Sequence, residues 1–267
     1  MSDATGVENL PLSGAVEDGK YVYCITRQER PRDFGTIGIG EGANRVYTVH
    51  YRDLAAVVSD TPIVIYDPTR ENVLAHEFVN ETVMREFTLI PMSFGTVFRS
   101  EKDVLALLNS TYQAFTDVLE KMQDKIEFGL KILWDRDKVV ASIERENDEI
   151  RRLKEEITRN AASSTYFARM QLGRLVEAAM EEASNRYVTD VHERLKDVSV
   201  ASRSNKVIGD RMILNAAFLV ERKDEKRFDE KVKEISLQYE DLLTFKYTGP
   251  WPPYNFVNIK LKLEKAT

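Results

Sequence analysis

The sequence predicts an α+β chain made of two α+β domains, and three observations carry that reading. Short β-branched and aromatic runs alternate with amphipathic helical stretches over residues 20–135. A proline-free and densely charged helical section follows, and strand-like runs then return toward the C-terminus. The boundaries are 1–19 for a flexible N-terminal segment, 20–135 for the N-terminal domain, and 136–267 for the C-terminal domain. The last includes a helical hairpin at 138–197.

In the first domain, YVYCIT (21–26) and the alternating RVYTVHY (45–51) read as strands. Between them, four of the twelve glycines fall in FGTIGIGEG (34–42), which reads as a glycine-rich turn. LAAVVS (54–59) is a further apolar run, and IVIY (63–66) follows Pro62. Asp67-Pro68-Thr69 stops the chain and restarts it as a helix, with Thr69 as N-cap and apolar spacing up to Phe87. LIPMSFGTVF (89–98) reads as a strand in which Pro91 marks an edge or bulge. Ser100-x-x-Asp103 has the form of a capping box ahead of one helix from Val104 to Met122. IEFGLKILW (126–134) closes the domain as a strand. The order β-β-β-α-β-α-β suggests two helices covering one face of a sheet.

The second domain begins with charge. Residues 144–159 hold six acidic and five basic side chains, while Ile143, Ile150, Leu153 and Ile157 keep heptad-like, coiled-coil spacing. Asp148/Arg152 and Glu155/Arg159 are ordered for i,i+4 ion pairs. After NAASS (160–164) a second helix runs to Leu195; the two either fold back as a hairpin or form one long helix. VSVAS (198–202), MILNAAFLV (212–220), LLTFKYTG (242–249) and FVNIKLKL (256–263) read as strands, with a helix at 224–240.

Composition limits the function classes. With 43% hydrophobic residues, a sizeable core is available to the 267-residue chain. The net charge is −6, from 38 basic and 44 acidic residues, so no nucleic-acid partner is expected from the overall field. There is no apolar run of membrane-spanning length, and the lone Cys24 permits no internal disulfide, which fits a cytoplasmic protein. Gly38-x-Gly40-x-Gly42 does not match G-x-G-x-x-G, and a strand follows it where a phosphate site needs a helix. His50, His76 and His192 lack metal-ligand spacing, and His76-Glu77 has Asn80 where a zinc protease helix needs its second histidine. Asp135-Arg136-Asp137 reads as a solvated turn as readily as a cation site. No cofactor, metal or catalytic residue is assigned.

Two segments are less ordinary: LIPMSFGTVF, and YTGPWPPYNFV (247–257), where Trp251 stands between prolines on a stiff backbone. The second reads as a rigid crossover closing a core or as an anchor for another protein, with Pro250, Trp251, Pro252, Pro253 and Tyr254 as its motif.

KYVYCI, LIPMSFGTVF and GPWPPYNFV, in this order along the chain, resemble the gas vesicle protein family GvpL/GvpF over about residues 20–263. One departure is Ser93, where such proteins often carry Arg. The resemblance implies an N-terminal ferredoxin-like domain and a C-terminal α+β domain with a helical hairpin. It also implies a non-enzymatic accessory protein that binds the small hydrophobic shell protein, GvpA, and assists gas vesicle nucleation or assembly, with other accessory proteins as further partners. Localisation would be cytoplasmic, at the gas vesicle. On this reading Gly38, Gly40, Gly42, Pro91, Phe94 and Phe98 are candidate protein-binding residues. The alternatives are a minor structural component of the vesicle wall or inner face, and a nucleotide-binding enzyme using the glycine-rich loop.

Overall fold

The computed structural model describes residues 18–40, 44–159 and 166–257. Residues 1–17 of the expected lead-in, the hairpin break at 160–164 and most of the strand read at 256–263 lie outside the described residues. The described chain forms two compact units, one running to Glu120 and one from Lys121. Both are mixed α/β units with antiparallel strand pairing.

The first unit contains β1 (Asp18–Arg27), β2 (Asp33–Thr36), β3 (Arg45–Tyr51), β4 (Leu54–Pro62), α1 (Arg70–Met84), β5 (Leu89–Pro91), β6 (Val97–Phe98), α2 (Glu101–Ser110) and α3 (Tyr112–Met122). The sheet order is β2-β3-β4-β1-β5, and β6 also pairs with β1. LIPMSFGTVF is therefore two short strands separated by a turn at Gly95, whose φ is +80°. The connection β4-α1-β5 crosses over β1. No helix separates β1 from the β2–β3 hairpin, however, so the element order differs from the βαββαβ order of a ferredoxin-like unit.

Residues Tyr21–Thr26 and Leu54–Ser59 are all buried. Continuous burial along a strand requires cover on both sheet faces. One cover is α1: Ser59 Oγ bonds Tyr23 Oη at 2.8 Å, and the Tyr23 ring lies 5.7 Å from His76 of α1. The other is α2. Tyr51 donates its hydroxyl to Asn109 of α2, and Tyr51 lies on the opposite face of β3 from Val46, the register partner of Ser59. This corrects the expectation of two helices on one face. The apolar runs of β1 and β4 do not alternate, so neither face can be left wet.

Local signals place the helix starts. Thr69 Oγ1 accepts from Asn72 N at 3.3 Å, and Ser100 Oγ accepts from Asp103 N at 3.3 Å. The single helix expected over 104–122 is interrupted at Thr111, where Ser110 Oγ bonds back to Leu107 O at 3.2 Å. The apolar run 63–66 forms neither strand nor helix.

The second unit contains β7 (Lys125–Trp134), α4 (Arg136–Glu146), α5 (Asp148–Arg159), α6 (Tyr166–Lys196), β8 (Ala201–Ser204), β9 (Met212–Glu221), α7 (Glu225–Gln238) and β10 (Leu243–Trp251), with sheet order β10-β7-β9-β8. β7 sits between β9 and β10, so the strand expected to close the first domain near residue 135 belongs to the second sheet. The physical reason is its two-sided backbone pairing with strands about 90 and 115 residues further along the chain. β8 starts at Ala201 and not at Val198, because the N–H groups of Val198 and Ser199 still bond to the last turn of α6.

The charged section is broken at Asn147. Its Oδ1 accepts from Glu149 N at 3.0 Å and Ile150 N at 3.1 Å, so it caps α5. α4 and α5 both pack on α6. The Glu155/Arg159 pair forms at 3.2 Å, whereas Asp148 pairs with Arg151 and not with Arg152. Asp135 accepts from Lys138 N at 3.3 Å and caps α4, which is the structural part played by the Asp-Arg-Asp turn.

Removing the Asn147 cap by Asn147→Ala is expected to cost about 1 kcal/mol of stability, read from urea unfolding followed by circular dichroism. A loss below about 0.3 kcal/mol would mean that the cap does not hold α5.

Candidate functional site

Of the candidate residues of the first unit, Gly38, Gly40 and Phe94 gather on the α1 face of its sheet. Tyr21 and Tyr23 of β1 lie 4.8 Å apart between ring centroids, with Tyr66 5.4 Å from Tyr21 and Phe94 6.5 Å from it. His76 projects into this cluster, 5.7 Å from Tyr21 and 5.8 Å from Phe94. Tyr21 Oη is 3.0 Å from His76 Nδ1 and accepts from Gly95 N at 2.9 Å, which fixes the turn of the 89–98 segment. His76 Nε2 is 3.0 Å from the Asn80 amide one helical turn on.

The glycine-rich segment docks on the same cluster. Ile39 is fully buried and donates its N–H to Tyr23 Oη at 2.8 Å. Gly38 donates to Asn44 O at 2.8 Å, and a Cβ there would stand 2.8 Å from Tyr23 Oη, so only glycine fits. Gly40 has φ +110°, and Asn44 Nδ2 bonds Ile39 O across the loop at 2.7 Å. The glycines thus serve close packing over Tyr23, and Gly42 lies outside the described residues. Pro91 pairs with Cys24 on edge strand β5, and Phe98 pairs with Lys20 away from the cluster.

His76 is 1% exposed, and burial pushes its pKa down to about 4 against a backbone hydrogen bond with Met92, so the ring is neutral near pH 7. Ser59 is fully buried and bonds a phenol, while the histidine bonds a different tyrosine, so nucleophile and base are not paired. Burial also raises the pKa of the Tyr23 phenol to about 12 and that of the Cys24 thiol further, which keeps both protonated. His50 bonds Thr48 at 2.7 Å and His192 bonds Ser202 at 2.9 Å. Among the described residues no group of three His, Cys, Asp or Glu could hold a metal ion, and no helix is long and apolar enough to cross a membrane.

The surface beside this cluster is apolar. Ile63, Val64 and Ile65 are 44%, 49% and 97% exposed, and Leu74 and Phe78 on α1 are 56% and 48% exposed. Tyr66, His76 and Asn80 turn inward from the same stretch of chain. They hold residues 63–80 against the sheet while leaving these five side chains in water. In the sequence the only signal was a non-alternating IVIY run bounded by Pro62 and Asp67.

The GPWPPY motif is part of the second sheet. β10 extends through Gly249, Pro250 and Trp251, and Trp251 reaches register with Glu127 after a shift at Gly249-Pro250, a cis peptide. Gly249 has φ +127°, and a Cβ would meet Phe128 Cδ1 at 2.7 Å and Glu127 O at 2.9 Å. Pro252 and Pro253 are buried, and their carbonyls accept from Tyr254 N and Phe256 N at 2.7 and 3.0 Å. Glu127, 4% exposed, then accepts from Asn255 N at 2.7 Å and Asn255 Nδ2 at 2.6 Å. Burial raises the Glu127 pKa, and the two Asn255 donors oppose that shift. This latch was invisible in sequence, because Glu127 and Asn255 come from strands and turns far apart in the chain.

A family model described as gas vesicle synthesis protein GvpL/GvpF matches residues 19–258. The chain is 32% identical over 248 residues to gas vesicle protein F1 of Halobacterium salinarum, covering 92% of this chain and 95% of that one. It is 30% identical over 240 residues to gas vesicle protein F of a Streptomyces species, covering 89% and 98%. Gas vesicle protein L1 of Halobacterium salinarum is 26% identical over 260 residues, covering 90% and 91%. In fold, the chain is similar to the crystal structure of GvpF from an Anabaena species, with TM-score 0.79, 23% identity and coverage of 91% and 100%. It is also similar to that of GvpF from Microcystis aeruginosa, with TM-score 0.74, 23% identity and coverage of 90% and 99%.

Two outcomes test this geometry. The folded chain holds His76 neutral down to about pH 4, whereas an unfolded histidine takes up its proton near pH 6.5. Stability from His76 is therefore lost as pH falls from about 6.5 to 4, by on the order of 3 kcal/mol. His76→Gln should flatten that part of the stability–pH curve, and identical slopes would remove His76 from the account. Asn255→Ala removes the Nδ2 donor from the buried Glu127 carboxylate and keeps only the backbone N–H, and unfolding in denaturant should show a loss of about 1–3 kcal/mol at pH 7.

Proposed function

The chain belongs to the gas vesicle synthesis protein GvpL/GvpF family, and from that premise we propose that it is a non-enzymatic accessory protein of gas vesicle assembly. On this reading it binds the small hydrophobic shell protein, GvpA, and assists nucleation or growth of the vesicle in the cytoplasm. The observation that carries the proposal is the exposed apolar stretch Ile63, Val64, Ile65, Leu74 and Phe78.

The argument is one of solvation. Large apolar side chains left in water forgo about 25 cal/mol for each Å² they could bury, and an exposed cluster of them marks an interaction surface. A shell protein that ends in a closely packed wall must keep an apolar face from aggregating before it is incorporated. The strip on residues 63–78 offers that face a matching surface. Phe94 packs against His76 on the same helix as Leu74 and Phe78, and Tyr23 and Tyr21 hold Ile39, between Gly38 and Gly40, and Gly95. The interleaved charges of α4, α5 and α7 keep the complex in solution. Contacts to further accessory proteins belong to the same proposal.

The test is capture of purified shell protein by the full chain and by an Ile65→Asp, Leu74→Asp, Phe78→Asp variant. Because the three side chains are exposed, the melting temperature should stay within about 3 °C of the parent. Capture should fall at least about tenfold, the loss of roughly 1.4 kcal/mol or more of contact energy. Undiminished capture by a folded variant would overturn this surface assignment.

A further inference from the structure

The second unit carries a cleft that the apolar strip does not explain. It is a groove of about 450 Å³ on the sheet face opposite α7, closed at one end by Trp251 and Asn255. The opposite face is identified by Phe128, whose ring stacks on Phe228 of α7 at 5.3 Å. Residues 127, 129 and 131 of β7 therefore point away from that helix.

Two lysines stand side by side in this groove. Lys131 of β7 and Lys246 of β10 are direct register partners, so both ammonium groups project from the same face. Like charges directly opposite on neighbouring strands are destabilising. Both lysines are exposed, and among the described residues neither has an ion-pair partner. The one carboxylate lining the groove, Glu127, is already held by Asn255. An uncompensated pair of this kind is complementary to negative charge brought from outside.

The rest of the lining selects the kind of anion. Next to the lysines the floor is Gly129 against Ala217, cross-strand partners, with the Thr248 hydroxyl standing over Gly129, 2.8 Å from where a Cβ would be. An extended backbone can lie along the Ala217 side of such a floor. On the walls, Asn205 Nδ2 bonds Asn255 Oδ1 at 3.2 Å and Asn215 Nδ2 bonds Lys206 O at 2.9 Å, which leaves the two amide oxygens to accept from peptide N–H groups. Neither a helix N-terminus nor a glycine nest of the kind that cradles phosphate is among the lining residues.

We propose that this cleft docks an acidic segment of a partner protein, with its backbone beside Ala217 and its carboxylates on Lys131 and Lys246. The cleft belongs to the second unit and the apolar strip to the first, and binding in the cleft is electrostatic and weakens with salt.

Calorimetric titration of the full chain with a blocked hexaglutamate peptide tests this directly. Binding is expected at low salt and should weaken at least about tenfold in Lys131→Glu, Lys246→Glu. A Lys226→Glu, Lys233→Glu variant on the exposed side of α7 changes the net charge equally and should bind within about twofold of the parent. The proposal is overturned by no binding, by equal losses in both variants, or by hexalysine binding as well as hexaglutamate. Sulfate binding as tightly as the peptide would also overturn it, since the cleft would then be a site for free anions. None of these outcomes depends on capture of the shell protein, so this proposal and the preceding one fail separately.

Discussion

The first unit depends on one constraint: β1 and β4 are apolar on both faces. A sheet of this kind is unstable until each face is covered, and the covers must come from elements that follow in the chain. α1 and α2 supply them on opposite sides. The same constraint explains the fate of the connecting segments. The glycine-rich loop and the turn at Gly95 are drawn onto the sheet because Tyr21 and Tyr23 carry hydroxyls into a dry region. Those hydroxyls need partners, and the backbone N–H groups of Ile39 and Gly95 meet the need. Buried polar atoms thereby fix the loop at Ile39 and the turn at Gly95 to the core.

The second unit solves a different problem. Its charge is concentrated on α4, α5 and α7, where both signs are interleaved and ion pairs lie at the surface. Such pairs contribute little stability, so the unit depends on its sheet and on the packing of Phe128, Phe218 and Phe228. The GPWPPYN segment finishes that sheet. A glycine that only glycine can replace, two buried prolines and the Asn255–Glu127 latch hold it to β7. The motif, read from sequence as a rigid crossover closing a core or as an anchor for another protein, is built into the sheet, with Trp251 left half-buried at the rim of a cleft.

Both units leave large apolar side chains in water. The first exposes Ile63–Ile65, Leu74 and Phe78 beside a rigid polar cluster, and the second exposes Tyr166, Phe167 and Met170 on α6 and sets two lysines without ion-pair partners side by side in a cleft. An apolar surface binds by burial and is insensitive to salt, whereas a cationic cleft selects by charge and releases readily.

Much of this could be read from the amino-acid order. Strands β1, β3, β4, β7, β9 and β10, the caps at Thr69 and Ser100, and helix α7 follow from local composition and spacing, because backbone propensity and capping act over a few residues. The sequence also marked the glycine loop, the 89–98 segment and GPWPPY as unusual, and the family followed from them. What only the tertiary structure decided depends on contacts between residues distant in the chain. Such contacts assigned β7 to the second sheet, put α1 and α2 on opposite faces, and turned Gly38 and Gly249 into packing positions. They also buried Glu127 beneath Asn255, exposed Ile63–Ile65, and set Lys131 beside Lys246. Each of these is fixed by strand register and by the requirement that buried polar groups be paired, and neither is encoded in any one stretch of residues.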